Sequence, residues 1–424
     1  MGRWQIRDSL RTAAFAAVCF ALSATTHSSS AWDNRDLVDP WDSHAERLED
    51  APLGTPTLTR DGVFAMLRSL AVYKQIAAWG GWPQVAEGKD LTHGVRDDRV
   101  VALRKRLLLT GDLPASGGDP FLMDFSVMDA VRNFQTRHGL PVHGKVDEIT
   151  RHALNIPVQD RIKVIELNIK RMRDLDIASD GRYVIVNLPA AVLEAVDLGK
   201  VELRHRVVVG KEYRETPVMS SKITHIDFNP NWNVPIGLAK WDVIPRIRRD
   251  FDYLKREKFR IYTWGKNARE VDPKTIDWSR DDIHKNYRFV QMRGPKNSLG
   301  AVIIRFPNSD AIFLHDTPKK HLFGEDLRAH SSGCVRVDDI YTLAKWLLHD
   351  RRDVWTDERI QKIAKEQTWA QAHLKKRLPI HLVYVTAWVD HQGVLNFRPD
   401  VYGWDGDKIA ELDGNKKVAA NKTR

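Results

Sequence analysis

The sequence predicts an α+β protein in which a helical N-terminal part is followed by a mostly β C-terminal part. Between residues 61 and 172, apolar residues recur at i, i+3, i+4 and i+7, which is the period of one helix face. From Gly181 onward, the apolar residues alternate or form short runs, as is typical of strands. A charged segment at about 236–293 interrupts these strands, so we expect an inserted subdomain that caps the β domain.

Composition is that of a globular protein with two or three domains. The 424 residues are 42% hydrophobic and 29% charged, which excludes a collagen, a coiled coil, wholesale disorder and a multi-span membrane protein. Lys and Arg number 66 against 56 Asp and Glu, so the formal charge is +10. This excess favours an anionic partner, such as nucleic acid, anionic lipid or an acidic wall polymer.

Residues 1–31 have the pattern of a secretory signal peptide. A basic start precedes a small and apolar stretch at Ala13–Ala24, and a small-x-small cleavage site ends at Ala31. Because the apolar stretch is shorter than the roughly 20 residues of a membrane span, we expect cleavage rather than an anchor helix. Cleavage would remove Cys19 and leave Cys334 as the single cysteine of an exported protein.

The helical part divides into three segments. Residues 32–91 are predicted to form an N-terminal helical scaffold, residues 92–157 a small helical module and residues 158–180 a linking helix. Within the module, Ser126 is predicted to start the second helix and Asp147 to cap the last one, because both side chains can accept hydrogen bonds from free backbone N–H groups.

Residues 181–400 are predicted to form the β domain, and residues 401–424 a C-terminal tail. The insertion at 236–293 carries tryptophans whose rings either pin it to its host domain or present a platform for sugars. These are Trp241, Trp264 and Trp278. The predicted strands are Tyr183–Leu188, Glu202–Val209, Lys222–Phe228, Ala301–Phe306, Ala311–Leu314 and Ile380–Val389.

The densest cluster of reactive residue types lies around Cys334. His315 ends an apolar strand, and Cys334 follows it by nineteen residues, after a polar loop. A thiol attacks as the thiolate, which is scarce at neutral pH, and a histidine within hydrogen-bond reach can remove its proton. The N–H groups of Gly333 and Cys334 could stabilise an oxyanion. The alternative is that Cys334 is a small buried hydrophobe without chemistry.

The pattern around this pair resembles the L,D-transpeptidases with a YkuD-type catalytic domain. Their motif is His, a loop, Ser or Thr, usually a second His, then Gly-Cys, a hydrophobic residue and Arg or Asn. This sequence has His315 and then SSGCVR at residues 331–336. Ser332 departs from the motif, because it occupies the position of the usual second His. The segments that extend the likeness are Asp227–Pro235, Gly294–Gly300, Tyr384–Trp388 and Gly80–Pro83.

The helical module adds a second likeness, to the three-helix peptidoglycan-binding modules. It rests on Ala130–Leu140, Gly144–Asp147 and Thr150–Leu154. These are mostly folding residues, so the module either binds the wall or serves only as a scaffold. With both likenesses, the chain resembles the large periplasmic subgroup of the family. This resemblance implies a periplasmic location.

The resemblance implies a reaction on peptidoglycan stem peptides. The Cys334 thiolate would attack the carbonyl at the L-centre of diaminopimelate in a tetrapeptide stem, D-Ala would leave with a proton from His315, and a thioester would remain. The side-chain amine of a second stem would then convert the thioester into a third-to-third cross-link. The resemblance also implies that the carbonyl of Asp316 orients His315, that carbapenems acylate Cys334, and that no cofactor or metal takes part.

Further residues are predicted to bind substrate, and several of them have an alternative structural role. Arg336 could hold a substrate carboxylate or brace its loop through a carboxylate of the protein. Asn229 and Trp232 either line the cleft or finish a strand, and the Asp316 carboxylate is expected to be mainly a structural hydrogen-bonding group. The full predicted set is Ser331, Ser332, Arg336, Asn229, Trp232 and Asp316.

Other functions fit parts of the sequence. Water instead of an amine could resolve the thioester, which would make an L,D-carboxypeptidase or a hydrolase of wall peptides. The charge and the module also suit a non-catalytic peptidoglycan-binding scaffold. A zinc hydrolase would need His315, His321, His330 and Cys334 to converge, although their spacing is unlike the compact structural zinc sites.

The expected partners are donor and acceptor stem peptides and other wall-synthesis enzymes. Nucleic acid is not expected, because no basic and aromatic module recurs in the chain. No transmembrane span is expected in the mature form.

Overall fold

The computed structural model describes residues 47–114, 117–175, 177 and 181–412. The predicted signal peptide, the start of the scaffold and the end of the predicted tail lie outside these residues. Within the described part of the chain, no helix is both long enough and apolar enough to cross a membrane.

Helices form the N-terminal part and also cover the β domain. In chain order they are α1 (Gly62–Ala78), α2 (Arg99–Leu109), α3 (Phe125–Arg137), α4 (Glu148–Asn155), α5 (Val158–Arg173), α6 (Ile236–Leu238), α7 (Ile244–Arg249), α8 (Tyr253–Arg256), α9 (Ile283–Asn286), α10 (Ile340–Leu347), α11 (Asp357–Glu366) and α12 (Trp404–Leu412). The module helices α2, α3 and α4 bury a core of their own, whereas α1 and α5 share a core with part of the β domain.

Aspartates cap two of the module helices. Asp147 caps α4 as predicted, because its side chain accepts the backbone N–H of Thr150. The prediction for α3 is wrong, since Asp124 rather than Ser126 caps it by accepting the N–H of Val127 at 3.0 Å. Both residue types are good N-caps, but Asp124 has the extended backbone that an N-cap requires.

The strands form one large sheet and two small ones. In chain order they are β1 (Tyr183–Asn187), β2 (Val192–Asp197), β3 (Lys200–Gly210), β4 (Met219–Phe228), β5 (Trp232–Asn233), β6 (Phe259–Thr263), β7 (Tyr287–Gln291), β8 (Val302–Arg305), β9 (Leu314–His315), β10 (Ala329–Ser331), β11 (Val335–Val337), β12 (Ala370–Val383), β13 (Ala387–Val389) and β14 (Leu395–Phe397). The nine-stranded sheet has the order β10-β3-β11-β9-β8-β4-β12-β1-β2, and β2 also pairs with β3, so the sheet closes on itself.

A buried core backs the strand that carries His315 and the strand that directly follows Cys334. Leu314 of β9 and Val335 of β11 are fully buried in the largest hydrophobic cluster, together with the apolar face of α10. β11 pairs with β9 on one side and with β3 on the other, so both of its edges are occupied. β9 therefore holds His315 in a rigid sheet, and β11 fixes the chain directly after Cys334.

The insertion at 236–293 has its own hydrophobic core and contributes to the three-stranded sheet β5-β7-β6. Its tryptophans differ in environment. Trp278 packs against two phenylalanines of the subdomain, as expected of a ring that holds the insertion together. Trp241 is 66% exposed and Trp264 46% exposed, so packing does not account for these two rings.

The C-terminal residues are more ordered than the sequence predicts. The hairpin β13-β14 places Phe397 against Tyr73 of α1 and His138 of the module. The predicted tail begins with α12, and an ion pair between Arg171 and Asp405 joins this helix to α5. The β domain, the module and the scaffold therefore meet around these last elements.

Candidate active site

The candidate nucleophile and base lie on one face of two adjacent parallel strands. β9 and β11 pair so that Leu314 lies opposite Val335 and His315 opposite Arg336. Because successive side chains of a strand point to opposite faces, His315 and Arg336 point away from the core that holds Leu314 and Val335. Cys334 directly precedes β11 and follows the same alternation, but its side chain is partly buried and also contacts that core. Cys334 and His315 are thus diagonal neighbours, at a separation of about 7–8 Å between backbones that side chains can bridge.

The His315 ring is buried and held by the backbone. Its Nδ1 lies 2.5 Å from the carbonyl oxygen of Asp316, and because a carbonyl can only accept, Nδ1 carries the proton and Nε2 is left to accept one. Burial and the positive charge of Arg336 lower the pKa of His315 to about 4, although hydrogen bonds with the backbone of Asp316 and Leu299 oppose the shift. The imidazole is therefore neutral at neutral pH and suited to act as a base.

The Asp316 carboxylate is engaged within the protein. One oxygen accepts the N–H of Ala301 at 2.9 Å, and the other pairs with Lys320 Nζ at 2.6 Å. A Cβ on Gly300 would lie 2.4 Å from this carboxylate, so only glycine fits beside it. Asp316 thus braces the start of β8 against β9, and its carbonyl is the group that contacts the histidine.

The Cys334 thiol is protonated in the free protein. Burial raises its pKa to about 11, against the opposing effects of a hydrogen bond with the backbone of Phe313 and the charges of two nearby arginines. Its Sγ lies 3.7 Å from the carbonyl oxygen of Ala311. A neutral thiol and a neutral imidazole are not an ion pair, so proton transfer to His315 must accompany nucleophilic attack.

Alkylation of Cys334 by iodoacetamide is expected to accelerate about tenfold per pH unit between about pH 7 and pH 10, because only the thiolate reacts and its fraction rises with pH below the pKa. The measurement is the rate of mass gain of the intact protein over a pH series. Glutathione alkylated in parallel should level off at a lower pH, since its thiol is not buried. A Cys334 rate that levels off near neutral pH would contradict the protonated resting state.

The loop that carries Cys334 is closed by its own polar groups. The Ser331 hydroxyl accepts the N–H of Gly333 at 3.1 Å and donates to the Cys334 carbonyl at 2.5 Å. Thr216 supports the loop by donating to the Gly333 carbonyl at 2.7 Å. The φ angle of Gly333 is +111°, a conformation that favours glycine. Ser331 and Gly333 therefore shape the loop, and nothing in the local sequence around Thr216 marks its role.

The oxyanion donor predicted at Gly333 needs a correction. The N–H of Gly333 is already used by Ser331, so it is not free to stabilise an oxyanion in this conformation. The N–H of Cys334 donates to no acceptor among the residues that the structure describes. Of the two predicted amides, the one at Cys334 is therefore available.

Ser332 connects this loop to the insertion. Its hydroxyl accepts a hydrogen bond from Arg214 Nη1 at 3.0 Å, and the same nitrogen pairs with Asp242 of the insertion at 2.6 Å. Sequence analysis missed Arg214, because its two partners are 28 and 118 residues away along the chain. The side chain predicted to bind substrate thus has a protein partner in this structure.

Arg336 has no carboxylate partner among the described residues, so the alternative of an internal brace finds no support there. Its Nε is buried without a hydrogen-bond acceptor. Burial lowers the pKa of Arg336, and the nearby Cys334 opposes the shift. A guanidinium that shares the face of the nucleophile and lacks an anion is a suitable partner for a carboxylate of a ligand.

Asn229 and Trp232 have contacts within the fold, which is the alternative in which they finish a strand, and their predicted place in the cleft stays a prediction. The Asn229 amide donates to the carbonyls of Ile363 and Thr368 at 3.0 and 2.9 Å. These bonds give hydrogen-bond donors to carbonyl groups at the end of α11 that have no partner within the helix. Trp232 begins β5 and packs in the core of the insertion, against Phe259.

The histidines considered as zinc ligands have other surroundings. In the described ranges, no group of three or more His, Cys, Asp or Glu side chains is arranged to hold a metal ion. His330 Nε2 lies 2.6 Å from Glu325 Oε2 and 2.8 Å from the Leu327 carbonyl. This ring therefore stabilises the segment that precedes the nucleophile loop.

Two protein families match separate parts of the chain. Residues 181–363 match the YkuD family, described as the L,D-transpeptidase catalytic domain, and residues 96–154 match a family described as "Putative peptidoglycan binding domain". A Haemophilus influenzae protein named "Putative L,D-transpeptidase" is 37% identical over 250 residues, which are 59% of this chain. The chain spans about 50% of the length of that relative.

Solved structures of similar proteins also align with the chain. An L,D-transpeptidase (Yku) from Stackebrandtia nassauensis is 14% identical with a TM-score of 0.24, and the alignment covers 71% of this chain and 96% of that one. An L,D-transpeptidase from Mycobacterium smegmatis is 11% identical with a TM-score of 0.23, covering 47% and 58% of the two chains. The family matches thus assign residues 181–363 the likeness of a YkuD-type L,D-transpeptidase catalytic domain and residues 96–154 that of a peptidoglycan-binding module.

Proposed function

We propose that the protein is a cysteine-dependent L,D-transpeptidase that forms third-to-third cross-links between peptidoglycan stem peptides. The observation that carries this proposal is the placement of Cys334 and His315 on one face of adjacent strands, with the His315 Nδ1 proton held by the Asp316 carbonyl. That arrangement leaves Nε2 of a neutral imidazole to accept the thiol proton.

The first half-reaction acylates the cysteine. As Nε2 of His315 takes the thiol proton, Cys334 Sγ attacks the carbonyl at the L-centre of diaminopimelate in a donor tetrapeptide. The N–H of Cys334 stabilises the oxyanion. The bond to the terminal D-Ala then breaks, the D-Ala amine leaves with the proton held by His315, and a thioester remains on Cys334.

The second half-reaction transfers the acyl group. The side-chain amine of diaminopimelate in an acceptor stem attacks the thioester, His315 receives the amine proton, and the C–S bond breaks. Cys334 regains a proton as the new amide forms. Water in place of the amine would yield a tripeptide, which is the carboxypeptidase or hydrolase alternative.

The wider setting of the proposal follows from the same chemistry. Both substrates are stem peptides of the wall, so the protein acts in the periplasm after removal of residues 1–31. The module is fixed to the catalytic part, because Arg137 donates to the carbonyl of Leu395 and Arg398 donates to the carbonyl of Arg137. These contacts support a scaffolding role for the module, whether or not it also binds glycan.

The proposal is tested by incubating the purified protein with tetrapeptide-bearing muropeptides and identifying the products by mass spectrometry. A transpeptidase yields a dimer that has lost one D-Ala. Tripeptide monomer without dimer would favour the carboxypeptidase alternative, and unchanged tetrapeptide together with binding to sacculi would favour the non-catalytic scaffold.

Arg336→Gln is expected to raise the KM for the tetrapeptide donor about tenfold or more, because a lost charge-assisted hydrogen bond to a carboxylate costs about 1.5–3 kcal/mol. The measurement is the rate of D-Ala release against donor concentration. Arg305→Gln is the matched control, since Arg305 also places its charge near Cys334 but is paired with Asp227. An equal change of KM in both variants would mean that Arg336 acts on the thiol and not on the donor.

A further inference from the structure

A small cavity lies where the module, the scaffold and the β domain meet. Its volume is about 40 Å³, and it is lined by Glu49 of the scaffold, Gly139 at the end of α3, and Arg328 and Arg398 of the β domain, among others. One water molecule needs roughly 10–15 Å³ of such space, so the cavity has room for a group of about three water-sized atoms. A carboxylate group fits this space. We call it the junction cavity.

The charges around the junction cavity do not balance. Arg328 pairs with Glu49 at 3.2 Å, and Arg47 pairs with Asp326 at 3.1 Å. Arg398 has no carboxylate within ion-pair distance among the described residues and donates only to backbone carbonyls. The lining thus holds one more guanidinium than carboxylates.

One polar atom of Arg328 is also unsatisfied. Arg328 is only 5% exposed, and its Nε is buried without a hydrogen-bond acceptor in the described part of the chain. Burial and the charge of Arg328 lower the pKa of Arg398 to about 10, with Glu49 opposing the shift. Burial of a cation without a counter-ion costs free energy. An anion that binds beside the cation offsets that cost, which favours its binding.

Close packing of the module holds Arg398 in place. Gly139 has a φ angle of +63°, and a Cβ there would lie 2.6 Å from Arg398 Cδ. The end of α3 therefore contacts the Arg398 side chain directly and limits where its guanidinium can go. The Arg398 side chain is therefore positioned by the module and by backbone carbonyls, and not by an ion pair.

We propose that the junction cavity is a carboxylate-binding site, in which Arg398 and Arg328 hold a single carboxylate group of a small organic acid or of a wall stem peptide. Planar guanidinium groups suit this ligand, because they bind the two oxygens of a carboxylate side by side. The site is separate from the active site, since neither Cys334 nor Arg336 lines it. It does not depend on the proposed function.

The position of the site connects it with the nucleophile loop. Arg328 also donates to the carbonyls of Ala190 and Ala191 and lies one residue before β10, which ends at Ser331. A carboxylate bound here would add a contact to the segment that leads to Cys334. The module would then take part in substrate recognition through the cavity that it completes.

The test is the stabilisation of the full chain by carboxylates, measured as the melting temperature in sodium acetate against sodium chloride at equal ionic strength. A ligand that binds only the folded state raises this temperature. The matched variants are Arg398→Gln and Arg336→Gln, each of which removes an arginine that lacks a carboxylate partner in the described ranges. Wall tetrapeptide and the same peptide with amidated carboxylates distinguish the two sources of the ligand.

We expect acetate to stabilise the wild type and Arg336→Gln, and its apparent Kd to weaken at least about tenfold in Arg398→Gln. Stabilisation by the tetrapeptide at lower concentration than acetate, and not by the amidated peptide, would identify the wall peptide as the source if it persists in Arg336→Gln and is lost in Arg398→Gln, because binding at the active site would not depend on Arg398. No stabilisation of the wild type by either carboxylate, or an equal effect in Arg398→Gln, would overturn the proposal. If Arg398→Gln does not fold, Arg398→Lys decides, because it keeps the charge but loses the planar fork and should weaken the effect.

Discussion

Cys334→Ala is expected to abolish both the covalent adduct with a carbapenem and the formation of cross-linked dimers. The proposed reaction passes through a thioester on this sulfur, and the described part of the chain holds no second cysteine. Backbone donors and binding alone leave little of the rate once the nucleophile is gone. Intact mass after carbapenem treatment and product mass from muropeptides measure the two losses separately.

Cys334→Ser is the matched variant for this experiment. It keeps the size and hydrogen-bonding capacity of the side chain but replaces the thiol with a hydroxyl, which is a far weaker nucleophile beside a neutral histidine. Both variants should melt at nearly the wild-type temperature, because the side chain is small and only partly buried. Dimers formed at the wild-type rate by Cys334→Ala would refute the proposed nucleophile.

His315→Gln separates the base from the nucleophile in the same assay. Loss of a positioned general base reduces rates by about 10²–10⁴. Glutamine has no basic nitrogen to take the thiol proton, so acylation should slow while the pairing of β9 with β11 keeps the nucleophile loop in place. Acylation by carbapenem at high pH should recover in part, because hydroxide then ionises the thiol without help from the imidazole.

The pattern of the sequence predicted the elements that are long or strongly periodic. β1, β3 and β4 lie within or around the predicted strands, because their apolar residues mark a face of the sheet. β2 was missed, since it follows β1 after a short turn in which Pro189 and two alanines hide the change of direction. α12 was missed because Trp404–Leu412 alternates charged and apolar residues without a clear helical stripe, and its ion pair to α5 comes from Arg171.

For the candidate site, the sequence predicted the reactive groups better than their supports. His315, Cys334 and the Asp316 carbonyl are near one another in sequence or in a recognisable motif, so local pattern was informative. Thr216 and Arg214 act on the nucleophile loop from more than a hundred residues away, and no spacing in the chain indicates such contacts. The two carbonyl partners of Asn229, on α11 and just after it, could not be predicted for the same reason, since tertiary packing sets them.

Asp112→Ala is expected to lower the free energy of unfolding of the module by about 3–5 kcal/mol, the usual cost of removing one partner from a buried ion pair. Asp112 binds Arg137 through two bonds of 2.5 and 2.6 Å, and the two side chains are only 2% and 4% exposed. Burial lowers the pKa of nearby Arg106 to about 9, and the charges of Arg137 and Arg161 add to this shift while Asp112 opposes it. Without the carboxylate, three guanidinium groups would share one interior region.

Asp129→Ala is the matched control, because it removes a carboxylate from an ion pair in the same module. Arg132 and Asp129 lie 2.6 Å apart, but their side chains are 43% and 64% exposed. An exposed pair contributes about 1 kcal/mol or less, so this variant should unfold at nearly the same denaturant concentration as the wild type. Arg137 also donates to the carbonyl of Leu395, so the loss in Asp112→Ala should extend to the contact between module and catalytic domain. Equal destabilisation by both substitutions would mean that burial of the Asp112 pair does not govern the stability of this junction.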